Sequence, residues 1–224
     1  MRDPLSIIAE AAKRLSPTLI THEIGSDVEI ILYNLAKKIR ASYENFVVIS
    51  FNDAYAAVMR YLRSIFNDAD QVFGADRLIS INPFLEEDLM PEIIVETSDP
   101  EIIAGRIGEA IKGLDNSLFF VLGLDLYGVR HKGELPLMIP GITKVLSRAP
   151  GNSVVMTFNT KMFPESILEI VNSFALNVVR LEVKVVGVSI KRILTIIRSP
   201  FMEYNLKSWR YEVTRNAVIF IPEK

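Results

Sequence analysis

Residues 17–31, PTLITHEIGSDVEII, have the order of parts that cradles a phosphate: an apolar strand, a glycine-containing turn and an amphipathic helix. A phosphate loop needs glycines so that backbone N–H groups can approach the anion. It also needs a Lys for the β- and γ-phosphates and a hydroxyl for Mg²⁺. Gly25 and Ser26 are present, but Asp27, Val28 and Glu29 stand where Gly, Lys and Ser or Thr would. Two carboxylates at a helix N-terminus suit the helix dipole. They would also repel a triphosphate, each like-charge contact at about 4 Å costing on the order of a few kcal/mol in a partly wet site. Asp27 and Glu29 are read as helix-capping acids beside a vestigial phosphate loop.

Other reactive residue types are sparse. His22 and His131 are the only histidines, and neither has a second His at metal-ligand spacing. The chain has no cysteine, which excludes disulfides, thiolate metal sites and a cysteine nucleophile. No Gly-x-Ser-x-Gly elbow is present. Glu86, Glu87 and Asp88 form a short acidic cluster read as a solvated helix start. The C-terminal third is basic, through Lys184, Lys191, Arg192, Arg198, Lys207, Arg210 and Arg215, with Tyr204, Trp209 and Tyr211 interleaved. Lys191, Arg192, Lys207 and Arg210 are the candidate nucleic-acid contacts. Basic residues on solvated strand faces explain the same pattern. The formal net charge of −2 gives no overall pull toward nucleic acid.

The elements that must position these residues alternate. Apolar spacing predicts a helix over 4–15, with Pro4 in its first turn, then a short strand over 18–21 and a helix over 27–41. FVVISF at 46–51 is a continuous β-branched and aromatic run, the signature of a strand covered on both faces. A helix over 53–66 follows, with Asn52 as its N-cap and Asp53 in its first turn. Strands are predicted over 78–81, 118–122 and 153–158, and helices over 101–114, 135–148 and 164–174. Pro136 and Pro140 push the expected start of the 135–148 helix later. Residues 91–100 carry no clear signal. Four strands then follow with short connections, over 177–186, 189–198, 209–214 and 217–221, with a tight turn at Asn216. The expected fold is three-layer α/β/α with a mainly parallel sheet and a C-terminal antiparallel meander. It forms one unit over 1–224: an N-terminal helix over 1–16, a parallel body over 17–174 and the meander over 175–224.

No apolar run approaches the roughly 20 residues that span a bilayer, and the N-terminus mixes acids with bases, unlike a signal peptide. Cytoplasmic residence is the expectation. A single glutamine and no cysteine lean toward a thermophilic source, against which stand twelve asparagines.

With these residues in place, the chain resembles the RecA-type ATPases, in particular the single-domain archaeal and bacterial relatives of the circadian protein KaiC. THEIGSDVEII occupies the Walker A slot, FVVISFNDAYAAVMRYLRSI is similar to the family's second strand and helix, and LFFVLGLD sits at the Walker B strand. VVRLEVKVVGVSIKRILTIIRSP and WRYEVTRNAVIFIP are similar to its C-terminal meander. The resemblance implies a Glu pair after the second strand to activate water. Asn52 and Asp53 stand there, and an amide cannot act as a general base. It implies a Walker B acid where Gly123 falls, with Asp125 two residues on as either a displaced Mg²⁺ ligand or a turn residue. It implies a Lys and an Arg reaching a neighbour's γ-phosphate, where Ile196 and Arg198 stand. Phosphoryl transfer depends on positioned charge, so these losses together imply an ATPase fold without ATPase chemistry and without a nucleotide cofactor. Its expected partners are a second copy or an intact ATPase paralogue. A nucleic-acid-binding accessory and a weak nucleotide binder are the alternatives.

Overall fold

The computed structural model describes residues 2–84, 90–214 and 217–223. The acidic cluster at Glu86, Glu87 and Asp88, the expected turn at Asn216, and Arg215 lie outside the described residues. Among them one ten-stranded sheet runs in the order β10-β9-β8-β7-β1-β6-β5-β2-β3-β4. Its strands are β1 (Thr18–His22), β2 (Asn45–Phe51), β3 (Arg77–Ile81), β4 (Ile93–Val95), β5 (Ser117–Leu122), β6 (Ser153–Asn159), β7 (Asn177–Val186), β8 (Ser189–Arg198), β9 (Lys207–Val213) and β10 (Val218–Pro222). From β7 through β1, β6, β5, β2 and β3 to β4 every pairing is parallel. From β7 outward to β10 every pairing is antiparallel.

Helices cover both faces of the parallel block, because its strands are apolar on both. Alternation sends Phe46 and Val48 of β2 into one core and Val47, Ile49 and Phe51 into the other. The first core is closed by α1 (Pro4–Arg14), α2 (Val28–Ile39), α3 (Ala54–Ile65) and α4 (Ala69–Phe73). The second is closed by α5 (Pro100–Ala110), α6 (Leu124–Arg130), α7 (Leu135–Leu146) and α8 (Glu165–Ser173). The first layer extends under the meander, where Leu194, Ile196, Trp209 and Tyr211 are buried.

Five local features depart from the sequence reading. α4, α6 and the edge strand β4 are too short for periodicity to reveal. α7 starts at Leu135 despite its prolines: Pro136 sits in the first turn, where an N–H has no helical partner, and Pro140 lies inside the helix. Pro140 forfeits only a bond to the carbonyl of Pro136, while Met138, Ile139, Ile142 and Leu146 stay buried in the second core. Asn52 is not the cap of α3. Asn52 and Asp53 both take left-handed backbone (φ 49° and 58°), Asp53 occupies the cap position without a side-chain cap bond, and Ser50 Oγ accepts the N–H of Tyr55 at 3.0 Å instead.

Candidate functional site: the loop after β1

β1, β6, β5 and β2 are parallel, so the ends bearing the motif residues lie along one edge of the sheet. β6 separates β1 from β5, and β6 with β5 separates β1 from β2. At the usual spacing between neighbouring strands, the Asn52–Asp53 end lies ~14 Å from the loop after β1.

That loop is folded down onto its own chain. The Glu23 N–H bonds the carbonyl of Leu181, and the Ser26 N–H bonds that of Glu23, both at 3.2 Å. A Glu23 carboxylate oxygen accepts the N–H of Val183 at 3.1 Å, and the other pairs with Lys161 at 3.0 Å. Gly25 supplies the left-handed turn (φ 83°) that such a tight path requires. Two meander side chains then close over it. Arg192 Nε lies 2.8 Å from Asp27 Oδ2 and donates to the Gly25 carbonyl at 2.9 Å. The hydroxyl of Tyr211 donates to the carbonyl of Ser26. Arg192 and Tyr211 stand opposite each other in the β8–β9 register, so both reach the loop from the covered face of the meander.

The two acids of the loop have different surroundings. Asp27 is the cap residue of α2 by position and takes left-handed backbone (φ 52°), yet its side chain makes no cap bond. It binds Arg192. The expectation of a simple helix cap fails there because the guanidinium competes better for the carboxylate than a backbone N–H does. Glu29 lies in the first turn, where burial, with the nearby Asp27 charge adding to it, raises its pKa above the ordinary carboxylate value. Ser26 is buried, and its hydroxyl has no hydrogen-bond partner among the described residues. Burial pushes His22, at the end of β1, down to about 4.

The other candidate positions are spent locally. Gly123, between β5 and α6, has φ 80°, and a Cβ there would meet the Phe51 carbonyl oxygen at 2.5 Å and Ala54 Cβ at 2.7 Å. Asp125 lies buried in the first turn of α6, where burial raises its pKa. It is thus part of a helix start and not of a strand-end turn. Asp53 accepts the N–H of Phe84 at 2.5 Å. Arg198 pairs in register with Val178, at the end of β7 remote from the loop, and donates to the carbonyls of Asn172 and Ala175 at the end of α8. Ile196 is buried in the first core.

The four basic candidates for nucleic acid do not share a surface. Strand alternation puts Arg192 and Lys207 on the helix-covered face and Lys191 and Arg210 on the other. Arg192 is bound to the loop, Lys207 lies 5.4 Å from the ring centre of Tyr204, and Arg210 pairs with Glu212 at 3.4 Å. Trp209 and Tyr211 are buried and offer no face to a base. Three side chains carrying the local architecture, Ser50, Arg192 and Tyr211, are not marked by any motif. For Arg192 a signal existed: it sits two residues before Leu194 and four before Ile196, on the apolar stripe of an alternating strand.

Among the described residues no helix is long and apolar enough to cross a membrane, and no group of three or more His, Asp or Glu is arranged to hold a metal. No protein-family model matches the chain, and no curated protein matches it by sequence. Solved structures do. A KaiC-like protein from the hyperthermophilic archaeon Pyrococcus horikoshii superposes with a TM-score of 0.63 at 13% identity, over 92% of this chain and 88% of that one. An uncharacterised protein of the same organism, solved in complex with an unknown peptide, gives 0.60 at 17% identity, over 92% of both chains. A third Pyrococcus horikoshii protein gives 0.63 at 14% identity, over 88% of this chain and 95% of that one. The sheet order, the two helical layers and these likenesses give this chain a KaiC-like, RecA-type fold.

Proposed function

We propose that this chain is a KaiC/RecA-like domain without catalytic activity that works by protein–protein association, as a structural or regulatory companion to a second copy or to an intact ATPase paralogue. The observation that carries the reading is the closed loop: the segment that would wrap a triphosphate is bonded to Arg192 and Tyr211 of its own chain. The position of the missing Lys is Val28, whose side chain is buried, so no cation projects from it. The loss of the acid at Gly123 and of the Glu pair at Asn52 and Asp53 points the same way. A structural neighbour solved with a bound peptide lends support to an association role.

Titration calorimetry of the full chain with ATP and Mg²⁺ tests this. The expected result is no saturable heat and no phosphate release. Micromolar affinity or measurable turnover refutes it, and affinity without turnover supports the weak nucleotide binder instead. The nucleic-acid reading has less behind it, because its four basic residues are divided between two faces. Salt-dependent DNA binding at low ionic strength would revive it.

A further inference from the structure

The β7–β8 hairpin outruns the rest of the sheet. β9 pairs with β8 only as far as Arg192, whereas β7 and β8 continue through Lys184↔Lys191, Val185↔Ile190 and Val186↔Ser189. Among the described residues no helix covers this extension: Val186, on the face of Lys184, is 52% exposed, Val185 and Ile190 on the other face are 73% and 62% exposed, and Val188 at the tip is fully exposed. Single exposed apolar residues are ordinary, but several on one protruding tip mark an interaction surface. Lys184 and Lys191 are directly opposite in the antiparallel register, an arrangement that costs stability unless a counter-charge is supplied. Neither has a carboxylate partner among the described residues.

A counter-charge of the right kind lies on the same face. Alternation puts Lys184 on the side of Arg180 and Glu182, which form one wall of a groove of about 520 Å³; α8 forms the other. Its lining includes Phe163 and Leu168, with Glu165 and Glu169 on α8. Four glutamates there face two cations, and one of those, Lys161, already pairs with Glu23. Asn172 adds a buried side-chain amide oxygen, Oδ1, that has no donor among the described residues. The groove is acidic with apolar contacts available, and the hairpin is basic with an apolar tip.

We infer that the groove receives the hairpin of a second copy of this chain. Lys184 and Lys191 meet Glu165 and Glu169 of the partner subunit, and Val186 and Val188 meet Phe163 and Leu168 of the partner subunit. Hairpin and groove are neighbours on one face, so a single two-fold axis seats each hairpin in the other's groove, giving a closed dimer and not an open fibre. The inference rests on the association role proposed above and names its partner.

Sedimentation equilibrium of the full chain, from about 5 to 200 µM at about 50 and 500 mM NaCl, reads it. A dimer that loosens with salt is expected. Lys184→Glu with Lys191→Glu weakens it at least about tenfold, as does Glu165→Lys with Glu169→Lys. Mixing the two doubly substituted proteins restores a dimer, which a folding defect could not do. A monomer throughout, a dimer indifferent to both substitutions, or no restoration on mixing overturns the inference. None of these bears on the calorimetric test of nucleotide binding, and a salt-insensitive dimer would keep association while moving it to another surface.

Discussion

Arg192→Ala tests whether the closed loop is held by charge. The guanidinium Nε serves two acceptors, Asp27 Oδ2 at 2.8 Å and the Gly25 carbonyl at 2.9 Å. The side chains of Arg192 and Asp27 are 29% and 19% exposed, between the extremes for which magnitudes are known. A fully exposed pair contributes about 0–1 kcal/mol, and removing one partner of a buried pair costs about 3–5 kcal/mol. The expected loss is therefore about 2 kcal/mol. For a chain of this size that corresponds to a fall in Tm of roughly 4–8 °C. Most of the cost is Asp27 left without its cation, so Asp27→Asn in the Arg192→Ala background should recover about half, ~1 kcal/mol. Urea denaturation gives the energies, and hydrogen exchange at the amides of Ser26 to Glu29 gives their location. A loss under about 0.5 kcal/mol, or exchange unchanged at those amides, refutes the latch. A full loss that Asp27→Asn does not relieve assigns the effect to packing of the arginine stem and refutes the electrostatic account.

His22 gives a pH signature of definite sign. Its folded pKa of about 4 lies below the ordinary 6.5 because burial disfavours the charged ring. The unfolded chain therefore takes up a proton at higher pH than the native one, and stability is lost as pH falls from 6.5 toward 4. About 2 kcal/mol is expected across that window after allowing for partial exposure of the ring. His22→Gln should flatten that part of the pH–stability curve, and an NMR titration placing the His22 midpoint near its ordinary value would refute the cause. The two loop glycines separate strain from space. Gly123→Ala brings a Cβ within 2.5 Å of the Phe51 carbonyl oxygen at φ 80°, whereas Gly25→Ala at φ 83° meets only Val183 Cγ2 at 4.0 Å. Losses of about 3 and about 1 kcal/mol follow, and equal losses in urea denaturation would refute the assignment of close packing to Gly123.

How much of this was legible in the chain depends on the range of the interaction involved. β2 announces its burial on both faces through an unbroken FVVISF, and the β7 and β8 boundaries follow from alternation. α6 is different. Its seven residues begin one residue after β5, with only Leu124 and Tyr127 to mark a face. That is too short for a helical period, so Asp125 reads as a strand-end turn when it belongs to a first helical turn. The α3 cap is hidden from the sequence for a related reason. Two left-handed residues carry the chain from β2 into α3, and the capping oxygen comes from Ser50, inside the strand. Arg192 is hardest to read, since 165 residues separate it from Asp27 and only the order of strands joins them.

The loop's acids take on a different meaning once that partner is known. On sequence alone, Asp27 and Glu29 make a negative loop that repels phosphate. In the structure Asp27 is the anchor for Arg192, and that nearby cation is already engaged. An arriving anion would have to displace Arg192 from both Asp27 and the Gly25 carbonyl. It would then confront two uncompensated carboxylates, with the buried Val28 between them. Closure and repulsion therefore reinforce each other, because opening the loop exposes the very charges that oppose the ligand. The same arrangement explains why an arginine persists on the apolar stripe of β8 between the exposed hairpin and the buried Leu194: its length lets the charge leave the strand face and reach the loop, while its stem stays against the meander.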